Sequence, residues 1–299
     1  MKDHYIRAIT KSGGIRILVC SIPELSREIC KLQQASATVS VALGRGLAAG
    51  ALMGGLLKGG QRIAMKFEGN GPLRKMIIEA EGDGSLRACC GNPSAEAEPV
   101  NGKWNVPGVL GKAGFLTVAK DPGSGGLPYQ GTVQLHSSEI GDDLALYLTE
   151  SEQTPSAVGV SALLDQQGEI AVCGGFLVQT IPNKTDDAEI NAMLERITSL
   201  KPIAEILAEA GSDGLLQALL AGIEYHRLES RELFFRCGCS REKVTQALHS
   251  LGAEGIKELR ESDGHAEVTC EFCRQQYRIE ADELQGLELL AAGGDTATH

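Results

Sequence analysis

Four cysteines near the C-terminal end limit this chain most. Cys237-Gly238-Cys239 and Cys270-Glu271-Phe272-Cys273 place four thiols in two short turns, with 30 residues between the turns. A short turn between paired cysteines lets both sulfurs face one ion. Two such pairs supply four thiolates, the closed tetrahedral set of a structural zinc site. A catalytic zinc site keeps one position open, and these four ligands leave none. The same spacing also suits two reduced, unliganded pairs or an iron–sulfur centre. The C-x-C half is the tighter one. In an extended strand, residues i and i+2 share a face but lie too far apart for easy bridging. Gly238 lets the backbone bend there. That bend also permits a Cys237–Cys239 disulfide once a metal has left.

The segment that carries these cysteines, residues 233–292, is small. A unit of ~60 residues has only a few kcal/mol of its own to spare. Structural zinc contributes about 10–16 kcal/mol in small peptides. One zinc ion per chain is therefore expected to hold this segment folded in the reduced state, with Cys237, Cys239, Cys270 and Cys273 as ligands. Zinc keeps sulfurs as thiolates, the form that oxidants attack. Arg236, Arg241, Lys243, Arg274 and Arg278 are placed to offset part of the negative charge of four thiolates. A static zinc knuckle and an oxidation switch both fit these residues.

The remaining five cysteines, Cys20, Cys30, Cys89, Cys90 and Cys173, are scattered and read as packing residues. Clustered thiols at short spacing suit a reducing compartment better than a secreted disulfide scaffold. The N-terminus lacks a continuous apolar region, and the apolar run Leu47 to Leu57 is bounded by Arg45 and Lys58. It falls short of the roughly 20 residues a spanning helix needs. It reads as a buried helix, and the expected location is cytoplasmic. The net charge of −11 and a pI near 5.1 argue against nonspecific nucleic-acid binding and against a polybasic membrane surface. Residues 232–299 carry 7 Lys and Arg against 13 Asp and Glu, a net of −6 that disfavours a nucleic-acid zinc module.

The pattern to about residue 181 predicts an α+β domain with extensive antiparallel sheet and packed helices. A strand is expected at Ile15 to Val19. A long helix is expected over Ala35 to Leu57, where Gly44, Gly46, Gly50, Gly54 and Gly55 would permit close packing against a sheet. Short strands follow at Arg62 to Phe67, Met76 to Ala80, Leu86 to Cys90, Phe115 to Ala119, Thr132 to Leu135, Leu144 to Leu148, Ala157 to Leu164 and Ile170 to Gln179. A boundary falls at Pro182-Asn183-Lys184-Thr185. From Asp186 to about Glu232 apolar residues recur at three and four, as in Ile190, Met193, Leu194 and Ile197, which predicts a helical linker over 182–232. In the zinc segment, Leu233 to Arg236 reads as a strand and Ser240 caps a helix through Leu251. A second helix is expected near Gly255 to Arg260 and a final one over Ala281 to Ala291. The tail, 293–299, reads as disordered.

The motifs Phe67-Glu68-Gly69-Asn70-Gly71-Pro72-Leu73, Gly114 to Asp121 (GFLTVAKD), Glu139-Ile140-Gly141-Asp142-Asp143, Ser151 to Val160 (SEQTPSAVGV) and Gly174-Gly175-Phe176 accompany the two cysteine pairs. Together they resemble the 33 kDa heat shock protein family of redox-regulated chaperones, over essentially the whole length apart from the tail. The resemblance implies a client-binding core over 1–181, a helical linker and a C-terminal zinc switch. It implies an ATP-independent holdase, not an enzyme, idle while reduced and zinc-bound. Oxidation would form Cys237–Cys239 and Cys270–Cys273 disulfides and release zinc, and the linker would unfold to expose a surface for unfolded client proteins. It also implies a homodimer in the active, oxidised state.

Beside the nucleic-acid zinc module, two rivals compete with this reading. A thiol oxidoreductase would use Cys270 and Cys273, but such enzymes set C-x-x-C at a helix N-terminus, whereas strand-like segments flank it here. A hydrolase would draw on His136-Ser137-Ser138 and Asp142-Asp143, yet no nucleophile elbow frames them. Gly123-Ser124-Gly125-Gly126 lacks the Lys-Ser/Thr of a phosphate-binding loop, so no ATPase activity is expected.

Overall fold

The computed structural model describes residues 2–123, 125–182, 184 and 187–294. The chain divides into two compact units, Met1–Arg236 and Cys237–His299. In chain order the first contains β1 (His4–Thr10), β2 (Ile15–Ser21), α1 (Pro23–Gln33), α2 (Ala37–Gly54), β3 (Arg62–Gly69), β4 (Lys75–Glu81), β5 (Ser85–Cys90) and α3 (Val106–Leu110). It continues through β6 (Gly114–Asp121), β7 (Tyr129–Gln134), α4 (Ile140–Glu150), β8 (Ser156–Leu164), β9 (Ile170–Thr180), α5 (Asp187–Ser199), α6 (Ile203–Leu220), β10 (Tyr225–Glu232) and β11 (Phe234–Phe235). The result is the expected α+β class with extensive antiparallel sheet.

Helix α2 is the centre of the first unit. Ser36 starts it, accepting a hydrogen bond from the Val39 amide on its side-chain oxygen. The helix lies between two sheets. One is five-stranded, ordered β10-β1-β2-β9-β8, and the other six-stranded, ordered β11-β5-β4-β3-β6-β7. Apolar residues surround α2, which is why its length and composition pass for a membrane span while 89% of it is buried in the protein. Its glycines are the notches that let both sheets come close. A Cβ on Gly50 would stand 2.5 Å from a methyl of Ile78 on β4, and one on Gly44 would stand 2.9 Å from the Ala162 Cβ on β8.

The five-stranded sheet is apolar on both faces. Leu18 and Cys20 of β2 and Leu177 of β9 face α2. Ile17 and Val19 of β2, Ile6 and Ala8 of β1, and Phe176 and Val178 of β9 face the other way, where Met193 of α5 and Ile206, Leu207, Leu215, Leu216, Leu219 and Leu220 of α6 cover them. α5 and α6 are thus the lid of the far face. α6 is bent at Gly211, whose positive φ of 63° breaks the helical path. The following residue, Ser212, is fully buried and hydrogen-bonds the His4 ring at 2.7 Å.

Two expectations fail here. Leu144 to Leu148 is not a strand but the middle of α4. Ile140, Leu144, Tyr147 and Leu148 are its large buried apolar residues, spaced for one helix face, and a short apolar run reads equally well with either period. The helical pattern also stops before Glu232. Residues 225–232 form β10, an antiparallel partner of β1. Its sequence, YHRLESRE, is polar and mostly exposed, so only the waiting edge of β1 makes it a strand. Strand β1 and helices α1 and α3 are not among the expected elements, although α1 carries a helix-start signal in Pro23 and Glu24, Lys31 in its last turn, and Leu25 and Ile29 on one buried face. Positions 183, 185 and 186 of the predicted boundary, and Ser124 of the glycine-rich turn, lie outside the described residues.

The second unit comprises α7 (Arg241–His249), α8 (Gly252–Asp263), β12 (His265–Thr269), β13 (Gln276–Glu280) and α9 (Ala281–Gly294). The strands form an antiparallel hairpin. Val244, Leu248, Ile256, Ala266, Ile279, Leu284 and Leu287 make its small core. The predicted tail begins inside α9, and residues 295–299 lie outside the described residues.

Gly50→Val should destabilise the chain by about 1–3 kcal/mol, because added volume in a packed core forces displacement. Gly59→Ala, at a position with open space around it, should stay within about 0.5 kcal/mol. Urea denaturation of both variants checks this. Equal midpoints for Gly50→Val and the parent would contradict the notched packing.

Candidate metal centre

All four cysteines of the two pairs meet in the second unit. Cys270 follows the end of β12 and Cys273 precedes β13, so C-x-x-C occupies the tip of the hairpin. The Cys270 amide donates to the Gln275 carbonyl at 2.9 Å, and the Arg274 amide donates to the Cys270 carbonyl at 3.0 Å. Arg274 takes a positive φ of 60°, which closes the turn. Cys239 enters from the other side, immediately before Ser240. The Ser240 hydroxyl accepts the Lys243 amide at 3.4 Å and caps α7. Lys243 also donates its ammonium to the Gly238 carbonyl and so ties down the C-x-C turn.

The four sulfurs lie within 4.8 Å of one another. The shortest approaches run across the pairs: Cys237 to Cys270 at 3.6 Å and Cys239 to Cys273 at 3.3 Å. A tetrahedron of sulfurs around an ion at about 2.3 Å has edges of roughly 3.8 Å. The set can therefore close on one metal ion with little movement. Desolvation, then hydrogen bonds among the thiols, pushes Cys273 up to about 12. A bound cation is what such a cluster needs in order to carry four thiolates.

A fifth residue joins the cluster. The Tyr277 hydroxyl, from β13, donates to the Cys239 sulfur at 3.1 Å. This hydrogen bond, with desolvation behind it, pushes the phenol up to about 12, so the hydroxyl keeps its proton near neutrality. Spacing alone gives no sign of it, because Tyr277 and Cys239 lie 38 residues apart in the chain.

The predicted basic surround is mostly engaged elsewhere. Arg236 pairs with Glu81 at 2.8 Å and Asp83 at 2.6 Å, within the first unit. Arg241 pairs with Glu283, and Arg278 with Glu280 and Glu267. Ion pairing with nearby carboxylates outcompetes a diffuse attraction to the cluster.

The scattered cysteines are buried in the first unit. Burial pushes Cys20 and Cys30 up to about 12 and Cys173 well above the ordinary thiol range. Cys173 lies 3.2 Å from both the Ser26 hydroxyl and the Gly44 carbonyl. Cys89 and Cys90 are buried as well. The hydrolase candidates form no triad. Asp143 accepts the backbone amides of His136 and Ser137 at 2.8 and 3.1 Å, and the Ser138 hydroxyl donates to the Gly111 carbonyl. These residues brace a loop.

Fold and cluster together define a two-unit α+β protein whose smaller unit gathers four thiols able to hold a metal ion. The chain belongs to the Hsp33 protein family, whose model matches residues 3–280 and so includes all four cysteines. It is 63% identical to the 33 kDa chaperonin of Pelobacter propionicus over 96% of this chain and 94% of that protein. The 33 kDa chaperonin of Geobacter sp. strain M21 is 47% identical over 95% and 96%. The fold matches the crystal structure of the 33 kDa chaperonin (heat shock protein 33 homolog) from Thermotoga maritima with a TM-score of 0.89 at 29% identity. That match covers 98% of this chain and all of the other.

A thiol-specific chromogenic reagent should, in the presence of a chelator, react readily with Cys237, Cys239, Cys270 and Cys273. Cys20, Cys30, Cys89, Cys90 and Cys173 should react only after denaturant is added. Peptide mapping of the labelled chain checks this, and rapid native labelling at Cys173 would contradict its burial.

Proposed function

We propose that this chain is a redox-regulated, ATP-independent holdase that binds unfolding proteins under oxidative stress in the cytoplasm. The observation that carries the reading is the closed set of four sulfurs in a unit with little core of its own. The donor set, all soft thiolates at tetrahedral spacing, suits zinc, one ion per chain in the reduced form. When bound, zinc would supply the charge that keeps Cys237, Cys239, Cys270 and Cys273 as thiolates and tie the two turns together.

Oxidation joins Cys237 to Cys239 and Cys270 to Cys273. Each bond takes two electrons from a thiol pair and passes them to the oxidant, such as a peroxide, which is reduced to water. Once both pairs are disulfides, no thiolate remains to link the two turns through a metal ion. The second unit then loses its staple.

The client surface is the far face of the five-stranded sheet. α5 has Met193 as its one buried residue among those described, so little apolar burial holds it in place. Between α5 and the sheet, Ile15, Ala157, Val178, Ile190, Met193 and Ile197 line an apolar gap of about 220 Å³. A lid so thinly packed is suited to leave. Departure of α5 and α6 uncovers Ile6, Ile15, Ile17, Val19, Phe176 and Val178, a surface that would grip exposed apolar segments of client proteins. In the oxidised state two chains pair as a homodimer. The acidic chain is suited to protein clients rather than to nucleic acid or membranes, and no step here is enzymatic.

Peroxide at mildly raised temperature should release one zinc per chain and switch on suppression of client aggregation together. Peptide mapping should then find Cys237–Cys239 and Cys270–Cys273. Loss of zinc with no gain in aggregation suppression would sink the holdase reading. Cys237→Ser should bind zinc at least tenfold more weakly, since one of four thiolates is gone. A competition titration with a chromophoric chelator measures this, and unchanged affinity would remove Cys237 from the ligand set.

A further inference from the structure

The Tyr277 hydroxyl has no part in the packing of the second unit that a phenylalanine could not play. Its ring sits beside the small core formed by Val244, Ile256 and Ile279. Its oxygen instead reaches the sulfur of Cys239 at 3.1 Å. The strand holds it there. Tyr277 pairs with Val268 across the β12–β13 hairpin, whose tip carries Cys270 and Cys273. The hairpin that presents one cysteine pair thus also delivers a hydrogen-bond donor to the other pair.

We propose that Tyr277 is a positioning residue that sets the reactivity of Cys239 within the four-sulfur set. This rests on the reading of that set as a zinc-thiolate centre. A hydrogen bond to a thiolate withdraws electron density from the sulfur and stabilises the anion. It thereby holds the sulfur in its ligating position and lowers its nucleophilicity toward electrophiles. Attack on a peroxide requires the sulfur to give an electron pair to one oxygen while the O–O bond breaks and hydroxide leaves, producing a sulfenic acid. The pair engaged by the Tyr277 hydroxyl is less available for that attack. Tyr277 therefore biases oxidation away from Cys239 and raises the threshold at which the C-x-C half is lost.

The test uses the full-length, zinc-loaded chain and the Tyr277→Phe variant, which keeps the ring and removes only the hydroxyl. Iodoacetamide is the probe, since a thiolate sulfur displaces iodide and leaves a mappable mark. In the variant, alkylation at Cys239 should accelerate about tenfold relative to Cys237, Cys270 and Cys273, and zinc affinity by chelator competition should fall about tenfold. A second protein with 3-fluorotyrosine at position 277, whose more acidic hydroxyl is a stronger donor, should shift Cys239 labelling the opposite way. This second protein keeps the test decisive if Tyr277→Phe does not fold. Unchanged relative labelling of Cys239 in a zinc-loaded protein overturns the role of Tyr277 and leaves the zinc reading standing. A wild-type chain that binds no stoichiometric zinc overturns the zinc reading, and this inference with it.

Discussion

A sheet whose strands are apolar on both faces has to be covered twice, and that requirement organises the first unit. One cover is α2, wedged between the two sheets and notched by glycines so that Ile78 and Ala162 can approach its backbone. The other is the pair α5 and α6. The two covers are not equal. α2 is buried all round, while α5 touches the core chiefly through Met193. Each fully buried Leu or Ile contributes roughly 1.5–3 kcal/mol, so α6 holds more firmly than α5. A fold built this way has one permanent layer and one that is cheaper to remove.

The second unit follows a different logic. Its core is a handful of aliphatic side chains between three helices and a hairpin. What gives it a centre is the meeting of two turns, each closed by local hydrogen bonds. The Arg274 and Gln275 backbone shapes one turn, and Lys243 and Ser240 fix the other. Four sulfurs then stand at ligand spacing, with the Tyr277 hydroxyl against one of them. The chemistry of this unit and its stability reside in the same atoms. On the proposed zinc reading, that is the arrangement in which a change at sulfur becomes a change in fold.

Much of this was legible in the residues. The cysteine spacing indicated the metal-type cluster, because short turns bring thiols together whatever surrounds them. Most strands of the first unit announced themselves by alternation, and α2 by its length and composition. What the pattern missed was decided by neighbours. The run Leu144 to Leu148 is too short to separate helix from strand by period alone. β10 is polar and takes its form from the edge of β1. The basic residues near the cluster looked available until Glu81, Asp83, Glu267, Glu280 and Glu283 engaged three of them.

The sequence by itself determined which sulfurs share a turn, since spacing within a turn is local, and it determined the α+β class, since periodicity is local too; that Cys237 lies against Cys270 and Cys239 against Cys273 is a contact between segments more than 30 residues apart. Only the tertiary structure decided which face of the five-stranded sheet α5 and α6 cover, how thinly α5 is held, and that Tyr277 touches Cys239. Those depend on strand register and on packing between segments far apart in the chain, and no short-range pattern encodes either.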